Sequence, residues 1–185
     1  YWQQLFDIGA LTEYFAPLPG AWNNTHIRET VQTALYFAGQ MQLNLSQRWA
    51  LLMTSLSADV FTNAHTDSSV ETASATKNIN QIGNMVKVPK VHNQFANLFV
   101  QQLPTLAAIN ELDAAERIDL IQACGAHKAP EKLSQLLVCS HTFHLAKQHR
   151  QMMLALNSFH AIGMEDIEAG LRGPEIGAAL RQARI

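Results

Sequence analysis

Asn24-Thr25-His26-Ile27-Arg28-Glu29-Thr30-Val31-Gln32-Thr33-Ala34-Leu35-Tyr36-Phe37-Ala38-Gly39-Gln40-Met41 is the stretch that decides the fold class. Ile27, Val31, Ala34, Leu35, Ala38 and Met41 recur at spacings of three and four, the period of one helix face, and Asn24 or Thr25 can cap the start. The next segment repeats the pattern: Ser46 is the expected cap, with Trp49, Leu52, Met53, Leu56 and Val60 on one side. Strand-type alternation is nearly absent along the chain, so the expected fold is all-α.

Working outward, Trp2, Leu5, Phe6, Leu11 and Phe15 predict an opening helix or pair of turns, closed by Pro17-Leu18-Pro19-Gly20. Residues 62–76 are rich in Thr, Ser, Ala and Asn with one bulky aliphatic, Val70, and are expected to form a mobile loop. Ile79, Ile82, Met85 and Val86 restore the helical period up to Val88-Pro89, and Val91, Phe95, Leu98 and Phe99 carry it on to Pro104. Asp113 is placed to cap a helix containing Ile118, Leu120 and Ile121. Pro130 then opens a long helix from Glu131 through Phe143, extending past Arg150. Met152, Met153, Leu156 and Phe159 lead to Gly163, and Met164–Ala169 predicts a short helix. At the end, Gly173-Pro174-Glu175-Ile176 writes out a helix start: Pro174 where a missing N–H costs nothing, Glu175 in the positively polarised first turn.

Composition narrows the function classes. Hydrophobic residues make up 48% and charged residues 15%, with a net charge of -2, so no global attraction to nucleic acid exists and any RNA contact needs a local patch. DNA and membrane partners are not expected, since no apolar run approaches the roughly 20 residues of a membrane span. Cys124 and Cys139 form no Cys-x-x-Cys pair, which favours reduced thiols in a soluble, cytoplasmic protein over a disulfide scaffold or a zinc knuckle. The chain opens at Tyr1 without Met, inside a helical pattern already under way, and is expected to be a fragment of a longer polypeptide.

Four landmarks in order resemble one family. Leu5-Phe6-Asp7-Ile8-Gly9-Ala10-Leu11, with Phe15-Ala16-Pro17 after it, resembles the Gly-Ala-Leu stretch and turn that close the neck of bacterial tRNA nucleotidyltransferases. Gln47-Arg48-Trp49-Ala50-Leu51-Leu52 resembles the helix bearing the His-Asp pair in the subgroup with a C-terminal HD domain. Met85-Val86-Lys87-Val88-Pro89 resembles its Leu-Arg-Val-Pro corner, and Leu171 to Arg184 its tail helix.

The resemblance implies an HD-domain-like helical bundle with a short C-terminal tail helix. Residues 1–15 would end the neck, 16–110 would form the HD-like core, and 111–185 the body and tail. It also implies that the bundle is degenerate. Where the family writes Leu-x-His-Asp-Leu-Gly-Lys, this chain has Leu52-Met53-Thr54-Ser55-Leu56-Ser57-Ala58. Gln32, Leu103 and Thr142 fall near the other ligand positions, and hydroxyls do not replace imidazole and carboxylate at a catalytic metal. No metal, no cofactor and no phosphohydrolase activity are therefore expected of this chain.

The family's polymerase-head strings, which hold Mg²⁺ and select CTP and ATP, do not occur between Tyr1 and Ile185. The implied role is a tRNA-positioning part of a CCA-adding enzyme whose catalytic residues lie elsewhere; the chain itself would not be an enzyme. Two other readings stand beside it: a stand-alone, metal-free HD-like signalling or interaction domain, and a surviving metal-dependent phosphohydrolase using His65, Asp67 and the helix histidines.

The candidate RNA-contact residues form small acid-poor patches. Lys128, Lys132, His141, His144, Lys147 and Arg150 follow one another with only Glu131 opposing, and could touch phosphates without reading sequence. Lys87 and Lys90 belong to a second stretch, with Lys77, and Arg181 joins Arg172 and Arg184 in a third. Solvated surface is the competing reading for each, and for Arg181 and Arg184 an offset of the helix dipole.

Overall fold

The computed structural model describes residues 2–10, 22–56, 68–143 and 145–185. Every regular element among the described residues is a helix. The chain divides into two compact units, 1–101 and 102–185.

Unit 1 begins with α1 (Trp2–Asp7) and then α2 (Thr25–Gln40), α3 (Leu45–Leu56), α4 (Ser68–Met85) and most of α5 (Lys90–Ala107). Asn24 caps α2 as expected, its side chain accepting from the His26 N–H at 2.9 Å. Ile27, Val31, Ala34 and Ala38 are buried, and Met41 is not: it is the C-cap and 49% exposed. The small side chains Ala34 and Ala38, with Ala50 of the partner helix, let α2 and α3 pack closely.

Ser46 does not cap α3. Asn44 does, in a reciprocal box: its Oδ1 accepts from the Gln47 N–H at 3.0 Å, and Gln47 Oε1 accepts from the Asn44 N–H at 3.1 Å. Ser46 instead lies inside the first turn and bonds the His92 ring, Oγ to Nδ1 2.7 Å.

Residues 68–76, expected in a mobile loop, are the first half of α4, while 62–67 lie outside the described residues. The apolar face of α4 continues N-terminally in small residues. Ala75 is fully buried and the Thr76 hydroxyl is shielded from solvent, a turn before buried Ile79 and Ile82. A search for bulky aliphatics misses a face built of alanine and threonine, although alanine is the best helix former.

Three helices stop by one device, a residue in left-handed conformation closed by a pair of backbone bonds. Gln42 (φ 50) ends α2, with Leu43 N to Ala38 O 3.0 Å and Gln42 N to Gly39 O 3.2 Å. Lys87 (φ 54) ends α4, with Val88 N to Gly83 O 2.8 Å. Gly125 (φ 70) ends the helix Ala114–Ala123. Only the last position carries the glycine that makes such a stop readable.

The α4–α5 corner is tied to α3. Trp49 Nε1 donates to Asn93 Oδ1 at 2.8 Å, and Asn97 Nδ2 donates to Asn80 Oδ1 at 2.8 Å. Gly83 is what lets Asn93 in, since a Cβ there would come within 2.6 Å of Asn93 Cγ. Gly83→Ala should therefore expel the Asn93 side chain, break its bond to Trp49 and lower unit 1 stability by about 1–3 kcal/mol. A denaturant midpoint unchanged from wild type would refute this packing.

Helix α5 runs through Pro104 to Ala107, three residues beyond the expected stop. Proline removes one backbone bond, but buried Leu103 and Leu106 hold the helix on both sides of it. Unit 2 continues with α6 (Ala114–Ala123), α7 (Pro130–Ser140), a 3₁₀ turn (His141–Phe143), α8 (Ala146–Ala161), a 3₁₀ turn (Met164–Asp166) and α9 (Pro174–Arg184). Asp113 caps α6 in a full box with Glu116, and Pro130 opens α7, both as expected. Met164–Ala169 contributes only the single 3₁₀ turn of its first three residues. Buried Ile118, Leu120, Ile121, Leu133, Leu136, Leu137, Met152, Leu156 and Phe159 supply its apolar interior, with α8 packed on both α6 and α7.

Candidate nucleic-acid interface

The long helix expected from Glu131 past Arg150 is two helices. α7 stops at Ser140, whose hydroxyl turns back onto Leu137 O at 2.7 Å, and the Leu145 N–H reaches Ser140 O at 3.3 Å across the break. His141 stands in the 3₁₀ turn that follows α7, and His144 lies outside the described residues. His141 pairs instead with His149, eight residues on: Nε2 to Nδ1 is 3.0 Å, with ring centroids 5.1 Å apart. Both rings are half-buried. Burial, and secondarily the His141 ring, lower the His149 pKa below the ordinary imidazole value.

The expected cationic strip also divides. Lys132 is exposed in the first turn of α7 and His141 follows its last residue, nine positions on; at about 100° per residue they project from opposite flanks of the helix. Lys128 and Lys132 do share the α6–α7 turn. The Lys132 stem lies over Gly125, where a Cβ would sit 3.7 Å from Lys132 Cδ, and neither lysine is in an ion pair among the described residues. Arg150 is exposed near the start of α8, where Lys147 occupies the first turn. Lys87 and Lys90, both exposed, stand at the α4–α5 corner of the other unit.

Arg181 is engaged. Its guanidinium grips Asp119 of α6 with two parallel bonds, the Nη2–Oδ2 arm 3.0 Å long. That bond holds the Asp119 carboxyl below its usual range and raises Arg181. Arg184 lies 3.9 Å over the Phe159 ring and donates to Ile162 O at 3.0 Å. The two arginines therefore dock the tail helix onto unit 2, beyond any offset of its dipole, although α9 has no buried residue.

The positions that resemble the family's metal ligands differ in setting. Thr54 and Ser55 are completely buried in the last turn of α3, and neither hydroxyl has a hydrogen-bond partner among the described residues. Leu103 is buried at 5% exposure, and the Thr142 hydroxyl is shielded and unpartnered. Gln32 does not fit such a set, because it is exposed and its neighbour Val31 faces the interior. His65 and Asp67 lie outside the described residues. Among the described residues no three His, Cys, Asp or Glu side chains are grouped to hold a metal. Both cysteines are buried and outside any disulfide among the described residues, and burial pushes the Cys124 thiol up to about 12, which keeps it protonated.

Comparison of the chain with family models, curated proteins and solved structures finds no match. No described helix is long and apolar enough to cross a membrane.

The residues missed in the sequence are Ser46 with His92, Asn93 with Gly83, and His149 as the partner of His141. The last has a signal in Ser140-His141-Thr142, a polar run that competes with helix continuation.

Proposed function

We propose that this chain is the helical body and tail of a tRNA nucleotidyltransferase, a metal-free relative of the HD bundle that positions tRNA for a catalytic head carried elsewhere. The observation that carries the reading is the burial of Thr54 and Ser55 at the point where the resembling motif has His and Asp. Side chains there face the interior, as ligands must, and hydroxyls in place of imidazole and carboxylate cannot grip a catalytic divalent ion. The helix that begins at Pro174 and the corner at Lys87 support the reading, both lying in segments on which the resemblance rests. Cytoplasmic location and CTP, ATP and Mg²⁺ use by the head belong to the same proposal.

Such a body acts geometrically. Holding the tRNA elbow lets the acceptor end reach the active site, so that part of the barrier is met by orientation. Lys128 and Lys132 are the candidate phosphate contacts, being exposed cations on one turn with no carboxylate engaged. The test is a salt titration of the 185-residue chain with tRNA and with a minihelix lacking the elbow. The chain should bind tRNA tighter than the minihelix, and Lys128→Glu with Lys132→Glu should lower the salt slope by about two and weaken binding irrespective of sequence. Equal binding of both RNAs, or a charge reversal without effect, would overturn the role.

A further inference from the structure

The His141–His149 pair fastens the corner where α7 turns into α8. α7 and α8 pack on each other, and the N-cap residue of α8, Leu145, makes no side-chain capping bond, so the imidazole bond ties the end of α7 to the first turn of α8. An imidazole bond needs one nitrogen with a proton and one without, and two imidazolium rings at this separation repel. The surroundings decide which ring stays neutral. His149 stands in the first four residues of α8, at the positive end of the helix dipole, with exposed Arg150 beside it. His141 stands at the C-terminal end of α7, and its Nε2 faces His149 Nδ1 with the donor set by the tautomer.

We propose that this bond is an acid-operated clasp: a second proton on the pair parts the two rings and loosens the hold of the C-terminal end of α7 on the first turn of α8.

No carboxylate among the described residues is placed to absorb that charge. On α6, Glu116 is held in the Asp113 capping box, Asp119 by Arg181, and Arg117 donates to Ile109 O. On α7, Glu131 and Lys132 sit in the opposite end turn, and on α8 His160 is bonded to Ala126 O at 3.3 Å. Arg184 of the tail is committed to Phe159 and Ile162. The sign follows from the lowered His149 value: the unfolded chain takes up the proton near 6.5 and the folded corner only at lower pH, so the clasp is intact above 6.5 and its contribution is lost as pH falls through the folded value.

Hydrogen exchange of the whole chain at pH 7.5 and pH 5, corrected for the intrinsic pH dependence, tests the clasp. Amides of residues 141–143, 145 and 146 should lose protection by about tenfold in acid while those of the α6 and α7 interior do not. His149→Gln, which keeps a neutral donor and acceptor, should show no such loss. An acid-insensitive wild-type corner, or an unchanged acid response in His149→Gln, overturns the proposal. Imidazole nitrogen spectra of the wild type give an independent reading: His149 should remain neutral at a pH where exposed histidines have gained a proton, and its titration with them is the contrary result.

Discussion

Thr54→His with Ser55→Asp, the pair of changes that writes a His-Asp metal motif into α3, is expected to unfold unit 1 without creating a metal centre. Both positions are fully buried, with no partner for even a hydroxyl. An uncompensated buried charge costs about 3–5 kcal/mol, and the added ring volume about 1–3 kcal/mol more. That sum approaches the entire stability of a typical domain, about 5–15 kcal/mol. A metal could offset it only with further ligands, and Gln32 faces solvent while Leu103 offers no donor. Melting with and without millimolar Mn²⁺ or Zn²⁺ makes the check: a folded double variant whose midpoint rises on adding metal would contradict this expectation. The opposite pair, Thr54→Val with Ser55→Ala, removes two unsatisfied hydroxyls and should leave stability equal or raise it by about 1 kcal/mol.

What is legible in the sequence follows from how strongly each signal is local. Asn24, Asp113, Pro130 and Pro174 begin their helices where their side chains or missing N–H groups dictate, because a cap acts within three residues. Helix ends are harder to read, since Gln42 and Lys87 adopt a left-handed conformation without the glycine that would announce it. The stop after Ser140 is faint for a related reason: no proline or glycine marks it, only the polar run Ser140-His141-Thr142, and the apolar period of α7 runs almost into that of α8. Missing that break runs His141 and His149 into one long helix and hides their contact. The basic strip fails through the same extrapolation, because a helix distributes residues nine apart onto opposite sides. Arg181 is recognisable as a cation and not as a tether, since its partner Asp119 is 62 positions away and leaves no trace in local pattern.

Leu136→Ala is expected to cost unit 2 about 2–5 kcal/mol, whereas Arg181→Ala should produce no resolvable shift in the denaturant midpoint. Leu136 is completely buried between the helices of unit 2, so truncation loses both transfer free energy and the contacts lining the resulting cavity. The Arg181–Asp119 bridge has better hydrogen-bond geometry than most, yet its side chains are 36% and 58% exposed, and water and salt compensate nearly all of what the pair supplies. Area therefore decides over charge in this unit, and the tail helix, which has intermediate contacts but no buried residue, is where the two effects should separate. In Arg181→Ala the α9 amides should exchange faster while those of α7 do not change, because only docking of the tail is weakened. Leu136→Ala should instead speed exchange throughout unit 2, the signature of a lowered global barrier to opening. Finding the larger midpoint shift in the arginine variant would mean that the tail is an integral part of the unit's core, contrary to its exposure.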